Sequence, residues 1–229
     1  EELNKMMSYY VSSVSHDLKT PLTSIKMFTE ILKETINIKN GRAAEYLNII
    51  EGESERLSRL INNVLNYAKI ENGIKEYCFV NFDLSECIKD VLKIMEYQLD
   101  MDNFRVDKCL QKNLIIKADK DAVKEVLINL ISNSIKYSPG KKILYISSKK
   151  ENGFVVVKIK DEGIGISQGD LKKIFKPFVR SDDSNVKNTG GAGIGLSIVK
   201  SIMDAHKGKI EVESALGKGS SLNLFFPPE

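Results

Sequence analysis

The chain has 229 residues, of which 42% are hydrophobic, enough for one large domain or two small ones with a real core. Its 34 Lys and Arg nearly balance 31 Asp and Glu, a formal charge of +3, and no basic run interleaves with aromatic residues, which excludes a nucleic-acid arm. Cys78, Cys87 and Cys109 lack metal-type spacing and are odd in number. They read as free thiols in a reducing cytosol rather than a disulfide framework.

No apolar run is long enough to span a bilayer, and no signal peptide is expected. The chain opens at Glu1 inside what already reads as helix, so it is expected to be a piece of something longer. A cytoplasmic location is expected, with any membrane anchor supplied by a region upstream.

From Glu2 to Lys39 the sequence predicts one long helix. Met7, Val11, Val14, Leu18, Pro21, Ile25, Phe28 and Leu32 alternate spacings of four and three, a heptad seam. Asn40-Gly41 breaks it. A second helix repeats the pattern with Ala43, Leu47, Ile50, Ser54, Leu57, Ile61, Val64 and Ala68, and Glu71-Asn72-Gly73 ends it. Two helices of about 30 residues, each about 45 Å long, make a hairpin. One hairpin cannot bury both seams together with Leu22, Leu60 and Leu65. Two hairpins in a four-helix bundle would, which predicts a homodimer.

Beyond Cys78 the pattern changes. A strand at Cys78–Phe82 precedes a helix from Ser85 to about Leu99. A strand near Leu114-Ile115-Ile116 leads into a helix from Asp119 to Tyr137. Ile143–Ser148 and Phe154–Lys160 predict a hairpin turning at Asn152-Gly153. A polar stretch from Ser181 to Ala192 precedes a helix ending near Lys207, for which Gly208 suits the cap. Strands near Ile210–Glu213 and Ser221–Phe226 close the chain. The expected fold is a helical hairpin over residues 1–72, followed over 73–229 by an α/β sandwich with a mixed sheet.

Within the Asp119–Tyr137 helix, Glu125, Asn129, Asn133 and Lys136 fall within an arc of about 80°. They border an apolar stripe of Val123, Val126, Leu127, Leu130 and Ser134. Asn is a poor helix former, so two of them four apart on a plain solvated face would be unexpected. Their amide oxygens suit Mg²⁺, which takes few protein ligands where phosphates supply the rest. Lys136 could then reach a phosphate, and Tyr137 could pack on a sugar or base.

Asp161 continues the face of Val155, Val157 and Ile159, so its carboxylate should point inward and need a donor. An adenine amino group would serve, and Gly163 and Gly165 would let the backbone approach the base. Gly191, Gly193 and Gly195 open a helix whose free N–H groups would attract phosphate, and the loop before it could close as a lid. It is neither a P-loop nor a dinucleotide fingerprint. His206, near a helix end, reads as structural or as a C-terminal cation. His16 falls at the exposed f position one turn before Pro21, beside Asp17, which could orient the imidazole and accept a proton. Thr20 lies one turn further on the same face.

Ser15-His16-Asp17-Leu18-Lys19-Thr20-Pro21-Leu22 resembles the phospho-acceptor motif of the sensor histidine kinases of two-component systems. Asn129–Tyr137, Asp161–Gly165, Phe175-Lys176-Pro177-Phe178 and Gly191–Gly195 resemble that family's other motifs, in order. The resemblance covers essentially the whole chain. It implies a dimerisation and phosphotransfer hairpin followed by an ATP-binding domain of the Bergerat (gyrase/Hsp90-like) type.

By that resemblance His16 takes the γ-phosphoryl of Mg-ATP with Asp17 assisting. Asn133, with Asn129, serves Mg²⁺, and Asp161 reads the adenine amino group. Lys136 and Arg180 face phosphates, and Leu196 follows the glycines of the cofactor loop. A response-regulator receiver domain is the implied acceptor, and Asp17 with Thr20 resembles the signature for dephosphorylating it. Asp17, Lys19, Phe28 and Val179 are mild departures from the commoner residues. Two other readings remain: a hydrolytic ATPase of the same superfamily, and a non-catalytic dimeric scaffold. The first is disfavoured because Asn129 stands where those relatives carry the water-activating Glu.

Overall fold

The computed structural model describes residues 22–33, 47–52, 54, 57, 58, 61, 75–177, 179 and 193–227. The chain forms two compact units, Glu1–Glu76 and Tyr77–Glu229. In the first, residues 22–33 and 47–52 are helical. Leu22, Thr29, Leu47 and Ser54 are buried within it, whereas Ile25, Phe28, Leu32, Ile50 and Leu57 are exposed. The predicted seam therefore splits on the second helix, whereas on the first its described residues are exposed and Leu22 and Thr29 beside it are buried. One strip of small and apolar residues closes the single hairpin, with Lys33 paired to Glu51. The Ile25–Phe28–Leu32 strip, with Phe28 59% exposed, faces outward.

The second unit runs β1 (Phe79–Asp83), α1 (Leu84–Ile94), α2 (Glu96–Met101), β2 (Arg105–Leu110), β3 (Ile115–Asp119), α3 (Lys120–Lys136), β4 (Ile143–Glu151), β5 (Phe154–Asp161), α4 (Gln168–Leu171), α5 (Gly195–Ala205), β6 (Lys209–Ser214) and β7 (Ser220–Phe226). The main sheet has the order β2-β4-β5-β7-β6, and β1 and β3 form a separate antiparallel pair. β2 runs parallel to β4, and every other neighbour in the main sheet is antiparallel, so the sheet is mixed as expected.

Alternation builds the core. Leu144 and Ile146 of β4, Val155, Val157 and Ile159 of β5, and Leu222, Leu224 and Phe226 of β7 are buried. Val126, Leu127, Leu130 and Ile131 of α3 and Ile198, Val199, Ile202 and Met203 of α5 are buried as well. α3 and α5 pack on each other and form the helical layer with α1.

Several local expectations hold. Asn152 (φ 49°) and Gly153 (φ 84°) both take the left-handed region that the β4–β5 hairpin turn requires. α3 starts where Asp119 caps it, the carboxylate accepting from the N–H of Asp121 and Ala122. The Asp119 carboxyl is held below the usual carboxylate range: burial acts to raise it, but the N–H donors of Ala122, Cys78 and Asp121 outweigh burial.

Others are corrected. The helix predicted from Ser85 to Leu99 is interrupted at Met95, between α1 and α2. β2 was not anticipated. The left-handed residue after α5 is Lys207 (φ 52°), not Gly208, whose N–H returns to the Met203 carbonyl.

His206 is structural. Its Nε2 accepts from the Asp119 N–H at 3.0 Å, so the ring is neutral there and Nδ1 donates to the Ile202 carbonyl at 2.7 Å. Tyr77 and Phe79 pack on it at 5.2 and 4.8 Å between ring centres. Cys78 and Cys109 are exposed free thiols, and Cys87 is buried, which pushes its thiol up to about 11.

Candidate functional site

The site is built along the edge where α3, the β5 end and the start of α5 converge. Its anchor is Asp161, the last residue of β5, only 5% exposed among the inward-facing side chains. Its two oxygens have different surroundings. Oδ1 accepts from the backbone N–H of Gly163 at 2.9 Å and of Ser220 at 3.1 Å. Among the described residues Oδ2 has only the Ser134 hydroxyl, at 3.4 Å. Burial pushes this carboxyl above its ordinary value, and those three donors oppose the shift without cancelling it. The fold thus fixes the plane of the carboxylate through one oxygen and leaves the other short of donors.

The turn after Asp161 lies hard against the end of α3. Ile164 N–H donates to the Tyr137 carbonyl at 3.0 Å. A Cβ on Gly163 would sit 2.3 Å from that carbonyl oxygen and 2.6 Å from Ser138 Oγ, so only glycine closes this contact. Gly165 follows with φ +71°. Glu162 turns outward, accepting from Tyr145 OH at 3.0 Å and pairing with Lys141 at 2.9 Å. Those donors, Lys141 first, hold its carboxyl below the usual range.

On α3, Asn129, Asn133 and Lys136 are half-buried beside the apolar stripe, as the helical arc predicts. Asn129 donates through Nδ2 to the Glu125 carbonyl at 2.9 Å, which turns its Oδ1 away from the helix backbone. That oxygen lies 2.9 Å from where a Cβ on Gly195 would stand. The first residue of α5 is glycine because the Asn129 side chain occupies that space. Asn133 makes no side-chain hydrogen bond to a described residue, so its amide oxygen is available to a ligand. Lys136 Nζ donates to the Tyr137 hydroxyl at 2.8 Å and lies 4.6 Å from the centre of that ring.

Asp161, Gly163, Gly165, Asn129, Asn133, Lys136, Tyr137, Gly193, Gly195 and Leu196 all belong to this second unit. His16, Asp17, Thr20, Arg180 and Gly191 lie outside the described residues. Ser134 carries a role that its place on the apolar stripe does not reveal. It is buried on the stripe as expected, 2% exposed, and its hydroxyl faces the Asp161 carboxylate. Among the described residues there is no His, Cys, Asp or Glu cluster able to hold a metal, so a cation here would depend on amide oxygens and phosphate. No helix among them is long and apolar enough to cross a membrane.

Comparison with known proteins agrees with this arrangement. Residues 6–73 match the His Kinase A (phospho-acceptor) domain, and residues 118–229 match the histidine kinase-, DNA gyrase B- and HSP90-like ATPase domain. The chain is 32% identical over 239 residues to sensor histidine kinase WalK of Bacillus subtilis (strain 168), covering 99% of this chain and 38% of WalK. It therefore spans well under half of that relative's length.

Among solved structures, the catalytic domain of histidine kinase ThkA is 31% identical, with a TM-score of 0.54 over 66% of this chain and 95% of that one. Full-length ShkA in complex with AMPPNP has a TM-score of 0.79 over 96% of this chain and 45% of ShkA, and at 23% identity it speaks to the fold. With a phospho-acceptor domain followed by an ATPase domain, in this order and with this fold, the chain belongs to the sensor histidine kinases of two-component systems.

Proposed function

We propose that this chain is an ATP-dependent protein-histidine kinase that phosphorylates its own His16 and passes the group to an aspartate of a response-regulator receiver domain. The domain limits proposed for this work are 1–72 for phosphotransfer and dimerisation and 73–229 for catalysis. One observation carries the nucleotide half of the reading. Asp161 is a buried carboxylate whose Oδ1 is committed to the Gly163 and Ser220 N–H groups, while among the described residues Oδ2 faces only a long hydroxyl contact. An adenine 6-amino group supplies the donor that Oδ2 lacks. AMPPNP in the ShkA complex is consistent with a nucleotide on this fold.

The remaining roles follow the chemistry of each group. Asn133, with its uncommitted amide, and Asn129, whose Oδ1 faces the start of α5, would hold Mg²⁺. The ion would supply charge neutralisation on the phosphates. Lys136 would exchange its Tyr137 hydrogen bond for a phosphate oxygen, freeing Tyr137 to pack on the nucleotide. Arg180 would face the phosphates, and Gly191, Gly193, Gly195 and Leu196 would bring N–H groups at the start of α5 to them.

At His16 the unprotonated imidazole nitrogen attacks the γ-phosphorus, the bond to the bridging oxygen breaks, and ADP leaves. Asp17 takes the proton from the other ring nitrogen. Incubation with γ-labelled ATP and Mg²⁺ tests the reading. Acid-labile, base-stable label on the protein supports it. Phosphate release without protein label would indicate a hydrolytic ATPase, and neither would indicate a scaffold.

The protein acts as a homodimer in this proposal. Ile25, Phe28, Ile31 and Leu32 on one helical segment and Ile50 and Leu57 on the other are 44–59% exposed in the single hairpin. Burying side chains of this size contributes about 1.5–3 kcal/mol each when complete. Residues 1–72 alone are expected to sediment as a folded dimer at micromolar concentration. A folded monomer there would contradict the pairing.

Thr20 is proposed to position a water for dephosphorylating the regulator, since a hydroxyl one turn from His16 shares its face. Thr20→Ala should leave autophosphorylation within about twofold and slow regulator dephosphorylation about tenfold, the effect of losing one hydrogen bond worth about 1.4 kcal/mol. Both rates are measured on one preparation. A parallel fall in both would assign Thr20 to helix geometry before Pro21 instead.

A further inference from the structure

Buried hydroxyls on helices ordinarily bond back to a carbonyl in the preceding turn. Thr29 does so, donating to the Ile25 carbonyl at 2.7 Å, and Ser197 donates to the Ile194 carbonyl at 2.7 Å. Ser134 does not. It lies on the core face of α3, 2% exposed, and its hydroxyl crosses to β5, where Asp161 Oδ2 is the acceptor at 3.4 Å. A methyl would fill the same space on this buried face. A hydroxyl there has a use only toward the carboxylate.

Asp161 needs that help. Two backbone N–H groups fix Oδ1, so the carboxylate can still rotate Oδ2 only within what its remaining neighbour allows. Ser134 is the donor on that side, and it stands one residue after Asn133 on the same helix. We propose that Ser134 is a positioning residue for base selection: its hydroxyl aims Oδ2 of Asp161 at the 6-amino group of an adenine. This rests on the proposed reading of Asp161 as the adenine-recognising group. The Ser134 hydroxyl also favours the charged form of a carboxyl that burial pushes upward, so it keeps Oδ2 a strong acceptor. When the amino group arrives, both donors share one oxygen, which has lone pairs for each.

The test uses the full chain and two nucleotides that differ in the 6-substituent of the base and, with it, in the proton on N1. ATP carries the 6-amino group, and inosine triphosphate carries a carbonyl oxygen there. Affinities of both, with Mg²⁺, are measured by calorimetry for the wild type, Ser134→Ala and Ser134→Thr. The wild type is expected to prefer ATP by tenfold or more. Ser134→Ala should weaken ATP roughly three- to tenfold, the size of a long hydrogen bond to a charged group. It should leave inosine triphosphate within about twofold, and Ser134→Thr should recover most of the ATP affinity.

Equal weakening of both nucleotides would mean a packing role and would overturn the proposal, as would unchanged ATP affinity in Ser134→Ala. The inosine triphosphate arm reports directly on whether the variant's site is intact. A wild type that does not distinguish the two nucleotides would instead remove Asp161 from base recognition, a separate signature from failure of the Ser134 role.

Discussion

His16→Ala is expected to abolish phosphoryl incorporation into the protein while leaving ATP affinity within about twofold of wild type. The imidazole is the only nucleophile in the proposed transfer, and an alanine has no atom that can form the P–N bond. His16 falls in the phospho-acceptor match at residues 6–73, whereas the asparagines, Asp161 and Gly193–Gly195 fall in the ATPase match at residues 118–229. The two units are compact bodies in their own right, so removing a side chain from the first should not disturb nucleotide binding in the second. Loss of label together with a large loss of ATP affinity would show that the units do not act independently. Label at the wild-type rate would assign the acceptor to another residue.

Asp161→Asn should do the reverse, and its effect on stability has a definite sign. An asparagine oxygen can still accept from the Gly163 and Ser220 N–H groups, so the turn should keep its shape. Its amide nitrogen would then replace Oδ2 and meet the adenine amino group donor to donor. A charge-assisted hydrogen bond is lost and an unsatisfied pair is created. Together these cost about 3 kcal/mol, roughly two orders of magnitude in ATP affinity.

Stability should move the other way. The folded protein raises the Asp161 pKa above its ordinary value, so the native state binds that proton more tightly than the unfolded chain does. The ionised carboxylate therefore opposes folding. Its cost grows as pH rises from the ordinary carboxylate value through the raised one, and it is fully present above both. Asp161→Asn removes that cost, so at neutral pH its melting temperature should equal or exceed that of wild type. The advantage should shrink as pH falls toward the acid range. A variant that melts well below wild type at neutral pH would show that the carboxylate is a structural prop first.

Much of this site could be read from the sequence because its residues sit on regular elements. Alternation of Val155, Val157 and Ile159 carries Asp161 inward, and the structure buries all four. The α3 arc places Asn129, Asn133 and Lys136 at the margin of the apolar stripe because the helix runs unbroken from Lys120 to Lys136. What escaped had weak local signals. The inner face of β2 offers Val106 and Leu110 around Lys108, and its partner β4 lies across α3 in sequence, so nothing nearby announces a parallel strand. The break at Met95 occurs without proline or glycine.

Ser134 was hidden for a different reason. On a periodicity diagram a buried serine is indistinguishable from a small apolar residue, and only the approach of β5 reveals what its hydroxyl faces. On the first helix the described seam residues Ile25, Phe28 and Leu32 are exposed, as expected of a seam that one hairpin does not cover, while Leu22 and Thr29 beside the seam are buried. A heptad pattern marks apolar residues without saying which of two partners they meet.

In the proposed reaction the γ-phosphoryl group of ATP moves to His16. Mass-spectrometric mapping of acid-labile phosphate, after brief incubation of the chain with Mg-ATP and digestion at neutral to mildly basic pH, tests it most directly. The phosphate should be found on the peptide containing His16 and should vanish after acid treatment. Phosphate confined to any other residue, or released to solution with none on the protein, would contradict it.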